Sequence, residues 1–578
     1  MRRILLFMFA CIFIVGCNND SDSEKAIREQ MDALYGENKE LTAIPDGQPY
    51  VSVENGVYVG KLSDGVNSFK GIPYAQPPVG KLRWHAPQRP DSSTSIKEAY
   101  YFGKSAIQTL AESEWASYYK QGEDCLTLNI WSSNDSTSSR PVMVWIHGGS
   151  YGWGGTSDPL YDGHNFIKAH PEVILVTINY RIGIMGFLDL TQMPGGEEFK
   201  ESGNLGLLDQ IAALEWIQRN ISAFGGDASQ VTIFGESAGG GSVSLLPIMP
   251  KAKGLFHRVI AQSGSVALSS SKEECKLLID RLKEVTGANN VSDLMKLSEA
   301  ELMRFNEVLN EYNCFPHRDG SILPLDPYKA YADGAAKNID LMMGTNSDEV
   351  RYWIGEMGGA AIFKLALPVW YDNILQGLPD NQRKDIENFV ENRADERIWN
   401  ICEFMNELMF RIPMLTMADA HSSAGGNTYV YYWSCPSSLP ERGACHAVEL
   451  AYVLNNPEET IYTGDTIDLK LASEAQNMWV NFAIKGNPST SKNVFPRYDN
   501  ITRKSLRIDH HIKVEEDLLA SQRQLVSPLI QQYISPLYCN MSLNVPTVWC
   551  YATWILIPLV IIVSAIIWLL IRRRNRKQ

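Results

Sequence analysis

An apolar run, Val231-Thr232-Ile233-Phe234, leads straight into Gly-Glu-Ser-Ala-Gly-Gly. A serine set between glycines at a strand end can be held on a sharp turn and offered as a nucleophile. Gly235 and Gly239 leave the backbone room to turn there. The residues that follow, Ala-Gly-Gly-Gly-Ser-Val-Ser-Leu-Leu, can open a helix whose N-terminus favours negative charge developing beside Ser237. Attack on a carbonyl also needs N–H donors for the oxyanion. The stretch W-I-H-G-G-S, 145–150, ends another apolar run in small residues. Two N–H groups there can converge with that of Ala238 into a three-donor hole. An acid and then a histidine should follow the serine in chain order. I-D-L-M-M-G-T-N-S-D-E, 339–349, is an apolar run that ends in Asp348 and Glu349. Beyond it stand His421, His446, His510 and His511. His421 falls in a helical stretch, and His510 and His511 lie beside a surface strand. His446 sits in the loop after the strand-like Y-V-Y-Y-W, 429–433, and is the expected base.

These side chains can meet only on a frame that brings strand ends together. P-V-M-V-W-I (141–146), V-I-L-V-T-I-N-Y (173–180), V-T-I-F (231–234) and R-V-I-A-Q-S-G (258–264) are near-continuous apolar runs. L-L-D-Q-I-A-A-L-E-W-I, 207–217, has helical spacing between two of them. Strands of this kind separated by helices imply an α/β fold: a large, mostly parallel central sheet covered by helices on both faces. No Pro- or Ser-rich linker divides the body. It reads as one domain, 48–533, with insertions concentrated between 265 and 430.

The chain has 578 residues, 45% of them apolar and 20% charged, a globular composition. Its net charge of −14 excludes nucleic acid as a partner. Residues 1–17 are a signal peptide: two arginines, an apolar run too short for a membrane span, then small residues. Its end, Ile14-Val15-Gly16-Cys17, resembles a bacterial lipobox, which would place lipid on Cys17. Residues 18–47 read as a linker and 534–548 as a stalk. Residues 549–571 carry no charge, are about 34 Å long as a helix, and are followed by the basic tail 572–578. That pattern is a transmembrane helix with the catalytic body outside the cytoplasm. An exported body permits disulfides, and Cys435 and Cys445, which bracket a short loop, are a candidate pair.

The quoted motifs carry a resemblance. G-E-S-A-G-G, with F-K-G-I-P-Y-A-Q-P-P-V-G-K-L-R-W (69–84), E-D-C-L-T-L-N-I-W (123–131), N-Y-R-I-G-I-M-G-F-L (179–188) and N-L-G-L-L-D-Q (204–210), is similar to the type-B carboxylesterase/cholinesterase family. K-G-N-P (485–488) and F-P-R-Y (495–498) fit its C-terminal part. The resemblance spans about residues 48–510. It implies an α/β-hydrolase fold, ester hydrolysis through an acyl-enzyme without metal or organic cofactor, and a triad of Ser237, Glu349 and His446. The oxyanion donors it implies are Gly149, Ser150 and Ala238. Ser150 replaces the glycine usual in family esterases, and a serine also stands there in the neuroligins. Cys125, bonded in many relatives, faces K-S-A-I-Q (104–108) here, a segment without cysteine, and is expected to be unpaired or to find another partner. Trp115, ten residues before Cys125, matches a choline-contacting tryptophan of the cholinesterases, and Tyr352 and Trp353 stand where those enzymes also place aromatics. The expected activity is hydrolysis of apolar acyl or aryl esters. The alternatives are a cholinesterase-like esterase and a non-catalytic, neuroligin-like adhesion protein.

Overall fold

The structure, a computed structural model, describes residues 33–530 apart from 109–118, 136–138, 310–313, 354–359 and 394. The expected signal peptide, lipid site at Cys17, Trp115, stalk, span and basic tail lie outside these residues. No helix among the described residues is long and apolar enough to cross a membrane.

Among the described residues, eleven strands form one sheet. In chain order they are β1 (Lys61–Ser63), β2 (Val66–Pro73), β3 (Thr127–Ser133), β4 (Arg140–Ile146), β5 (Ile174–Ile178), β6 (Gly226–Glu236), β7 (Arg258–Gln262), β8 (Asp340–Asn346), β9 (Thr428–Trp433), β10 (Lys504–Ile508) and β11 (Lys513–Glu516). Their spatial order is β11-β10-β9-β8-β7-β6-β4-β5-β3-β2-β1. The run from β5 to β10 is parallel throughout, and antiparallel strands flank it on both sides. A second, four-stranded sheet packs Glu40–Leu41, Ile96–Glu98, Gly56–Val59 and Tyr50–Val53.

The central strands are buried along most of their length and largely apolar because both faces are covered. Successive side chains of β4 enter different cores. Val142, Val144 and Ile146 join the cluster built with helix α1 (Leu205–Asn220), whereas Met143 and Trp145 join the cluster that holds Trp479 of α5 (Leu469–Lys485). Helix α2 (Ala238–Leu245) follows β6 directly, and α3 (Arg397–Asn406) and α4 (Ile412–Ser423) belong to the largely helical insertion before β9. The motif pair N-Y-R and L-L-D-Q meets at the foot of α1. Arg181 gives Nε and Nη2 to Asp209 at 2.8 and 2.7 Å, and both residues are fully buried. This doubly bonded pair ties the loop after β5 to the helix that covers the sheet.

Two expectations are corrected. The segment 18–47 is not a linker throughout: Tyr35 is buried, and Glu40–Leu41 pairs with Ile96 and Lys97, so the body begins ahead of residue 48. Cys435 and Cys445 are not bonded; both are free, buried thiols. Cys435 Sγ lies 3.5 Å from the Tyr452 hydroxyl and Cys445 Sγ 3.9 Å from the Tyr462 carbonyl. Closeness in sequence does not supply the Cβ geometry a disulfide demands. Cys125 is free and fully buried, and burial first of all raises its thiol well above the ordinary value.

Candidate active site

The carboxyl ends of β4, β6, β7, β8 and β9 converge on one buried compartment, the usual place for a ligand in a parallel sheet. Ser237 stands at the turn from β6 into α2 with φ 57° and ψ −120°, a backbone state strained for any residue with a Cβ. The turn is held from both sides. Ser237 N–H donates to the Gln262 carbonyl at the end of β7 (2.9 Å), and its carbonyl accepts from Gly241 in α2 (2.8 Å). A Cβ on Gly239 would lie 2.0 Å from the Ile146 carbonyl oxygen, so only glycine lets α2 start this close to β4.

The loop after β4 folds against the same turn, where a Cβ on Gly148 would come within 3.1 Å of Ser237 Cβ. Gly149, Ser150 and Tyr151 have φ 98°, 52° and 55° in succession. This left-handed run turns the loop, and Ser150 adopts it despite its Cβ. The N–H groups of Gly149, Ser150 and Ala238 have no hydrogen-bond partner among the described residues. His147 props the loop from beneath: buried, it stacks on Tyr180 with ring centroids 4.5 Å apart, and its Nδ1 lies 2.9 Å from the Gly148 carbonyl. Burial pushes its pKa down to about 4, so it is neutral.

At the end of β8 the structure separates the two candidate acids. Asp348 accepts from the Ala444 N–H at 3.0 Å and serves the loop. Glu349, fully buried, accepts from His446 Nδ1 at 2.6 Å through one oxygen and from the Ser263 hydroxyl (2.6 Å) and Asn346 N–H (2.8 Å) through the other. His446 Nε2 lies 3.1 Å from Oε1 of Glu236, the residue before Ser237. That oxygen is buried and has no hydrogen bond of its own. Behind it Glu449 accepts from Gln262 and Asn346 at 3.0 and 2.6 Å.

Three buried carboxylates thus face one imidazole. Burial alone would lower the pKa of His446, but Glu236 and Glu349 outweigh it and hold the value above that of a free imidazole. Burial raises Glu236, His446 opposes the rise, and Glu449 and Glu349 reinforce it. Two groups coupled in this way titrate as a pair.

Of the pocket aromatics expected from sequence, Tyr352 and Trp353 both pack on His446, with ring centroids at 6.0 and 5.5 Å. Sequence reasoning missed Glu236, Ser263, Glu449 and Phe410. The first two lay inside the quoted stretches G-E-S and A-Q-S-G, where nothing but their position beside a strand end marked them. His421 is buried on Thr428 and the Ala336 carbonyl, away from this compartment, and His510 is exposed.

A parallel-centred sheet with a strained serine turn between β6 and α2 defines an α/β-hydrolase. The carboxylesterase family model matches residues 47–526. The chain is 36% identical over 498 residues to the para-nitrobenzyl esterase of Bacillus subtilis (strain 168), covering 83% of this chain and 98% of that protein. It is 32% identical over 515 residues to liver carboxylesterase 1F of Rattus norvegicus, covering 79% and 89%. Among solved structures, the Geobacillus stearothermophilus carboxylesterase EST55 superposes with a TM-score of 0.74 at 32% identity, over 82% of this chain and 99% of that one. The chain belongs to the carboxylesterase family and is a carboxylic-ester hydrolase.

Proposed function

We propose that the chain hydrolyses esters of apolar acyl or aryl groups, with Ser237 as nucleophile, His446 as general base and acid, and Glu349 as its orienting carboxylate. The observation that carries this reading is the buried 2.6 Å Glu349–His446 hydrogen bond, set beside a strained serine and three N–H groups without a partner among the described residues. For the reaction, His446 Nε2 exchanges its contact with Glu236 for the Ser237 hydroxyl on the neighbouring residue. It takes the hydroxyl proton as oxygen attacks the ester carbonyl, while Glu349 holds Nδ1–H and stabilises the imidazolium. The oxyanion forms against the N–H groups of Gly149, Ser150 and Ala238, each worth about 3 kcal/mol of transition-state stabilisation. His446 then protonates the leaving alcohol, and water releases the acyl group by the same route in reverse.

The raised pKa of His446 places its active, neutral form towards alkaline pH. The expected kcat/KM therefore rises with pH through the neutral and mildly alkaline range. p-Nitrophenyl acetate and butyrate test the reading: turnover by the folded protein supports it, and complete inertness towards both overturns it. A cholinesterase-like preference would show as faster turnover of acetylthiocholine than of an uncharged ester of similar size. We also read the charge-free run 549–571 and its basic tail as a membrane anchor that leaves the enzyme outside the cytoplasm. Release of the protein from membranes by detergent, but not by salt, is the expected behaviour.

A further inference from the structure

The helix that carries Phe410 departs from α-helical geometry for one turn. Between α3 and α4 the residues Glu407–Arg411 form a π-helical turn, closed by the bond from Ile412 N–H to the Glu407 carbonyl. The cause is legible in the sequence. Pro413 has no N–H to give to the carbonyl four residues back, and its ring crowds that carbonyl, so the regular ladder is interrupted there and resumes in α4. Single π turns of this kind recur at functional sites. This one is pinned: Arg411 Nε donates to both Glu407 carboxylate oxygens at 2.8 and 2.9 Å, with both side chains buried. Its guanidinium reaches on to the carbonyls of Leu518 and Leu519 at 3.0 and 3.1 Å.

What the turn delivers is Phe410, which is 4% exposed and has its ring centroid 5.0 Å from that of His446. Trp353, at 5.5 Å and 24° to the imidazole, completes a triangle whose third side, Phe410 to Trp353, is 6.2 Å. Tyr352 closes in edge-on at 6.0 Å. The hydrogen bond at Nδ1 fixes one atom of the imidazole, but the 3.1 Å contact of Nε2 with Glu236 must be given up in the proposed reaction, and the ring then needs another hold. Phe410, Trp353 and Tyr352 are packed against the imidazole on the remaining sides.

We propose that the π turn and Trp353 brace the general base, with Phe410 and Trp353 acting as positioning residues that hold the imidazole of His446 with Nε2 at the Ser237 end and favour its cationic form through their ring faces. The inference rests on the esterase reading above. The charged and titratable groups around the imidazole are Glu349 from the end of β8, Glu236 from β6, Glu449 from the loop of His446 itself, and Tyr352, over whose ring Arg442 lies at 5.8 Å. All remain in place when Phe410 is changed. A cation over an aromatic face gains enough to change a rate about five- to tenfold.

Phe410→Leu keeps the volume apolar and removes the ring. The expected result is a fall in kcat of about five- to tenfold, equal for p-nitrophenyl acetate and butyrate, with KM within about twofold of wild type. The acid limb of kcat/KM should move to lower pH, because an imidazolium without its ring neighbour loses its proton more readily. Phe410→Tyr should restore both. An unchanged kcat and pH profile in Phe410→Leu overturns the bracing. So does a loss that falls on KM and differs between the two esters, which would make Phe410 a wall of the acyl pocket. If Phe410→Leu does not fold, Trp353→Leu and Trp353→Phe carry the same pair of outcomes. Inertness of the wild type would strike the esterase reading instead; an active wild type with unaffected ring variants removes the bracing alone.

Discussion

The molecule buries carboxylates in two places and treats them in opposite ways. Under α1, Asp209 meets Arg181 in a doubly bonded pair, and the Arg181 backbone N–H adds a third bond at 3.0 Å. At the ends of β6 and β8, Glu236 and Glu349 contact one imidazole with Glu449 behind them, and Glu236 keeps an oxygen without a hydrogen bond. The first arrangement is closed: charge is matched, donors are used, and the pair can only hold the loop after β5 on its helix. The second crowds acidic groups around an imidazole, with burial raising the pKa of Glu236 and Glu449. Completeness marks the structural site and deliberate shortfall the chemical one.

Substitutions sharpen that contrast. Ser237→Ala should cost about a millionfold in kcat on p-nitrophenyl esters while the fold is kept, as removal of a nucleophile that works as a unit with its base does. Glu349→Gln should cost about ten-thousandfold, since an amide cannot hold the required tautomer. Equal activity in that variant would mean that Glu349 only fills space. Asp209→Asn inverts the pattern. It leaves Arg181 buried and short of its partner, so denaturant unfolding should show a loss of about 3–5 kcal/mol. kcat/KM per folded molecule should stay near wild type, and a catalytic collapse there would erase the distinction between the two sites. Glu236→Gln should act more gently. It removes a negative neighbour of His446, so the imidazolium loses its proton more easily and the rise of kcat/KM begins at lower pH. A rise displaced to higher pH would contradict the assigned sign. Smallest of all, reductant should leave the thermal midpoint of the body unmoved, because the described cysteines, Cys435 and Cys445 among them, are free thiols.

The two sites also differ in how far the sequence discloses them. The serine turn is local: Gly235, Gly239 and the apolar run before them fix its geometry within nine residues, and the reading of β6 into α2 stands as made. The parallel centre was legible for the same reason, since strands buried on both faces read as near-continuous apolar runs. His446 was reachable by elimination among late histidines, and the choice of Glu349 over Asp348 came from family resemblance, because adjacent carboxylates at a strand end are equivalent until the chain closes round them. Glu236, Glu449 and Phe410 acquire meaning only from neighbours far away in sequence. Phe410 reaches the imidazole through a turn opened by Pro413, which no periodicity announces. The disulfide expected between Cys435 and Cys445 failed on the same ground: it inferred a long-range fact from short-range spacing.

The central claim is that Glu349 and His446 make the hydroxyl of Ser237 nucleophilic. Reaction of the folded protein with a fluorophosphonate, followed by peptide mass mapping, tests it most directly. The account predicts a single adduct on Ser237, formed rapidly in the wild type and slowly in Glu349→Gln. A folded protein that takes up no label, or carries it on another residue, would contradict it.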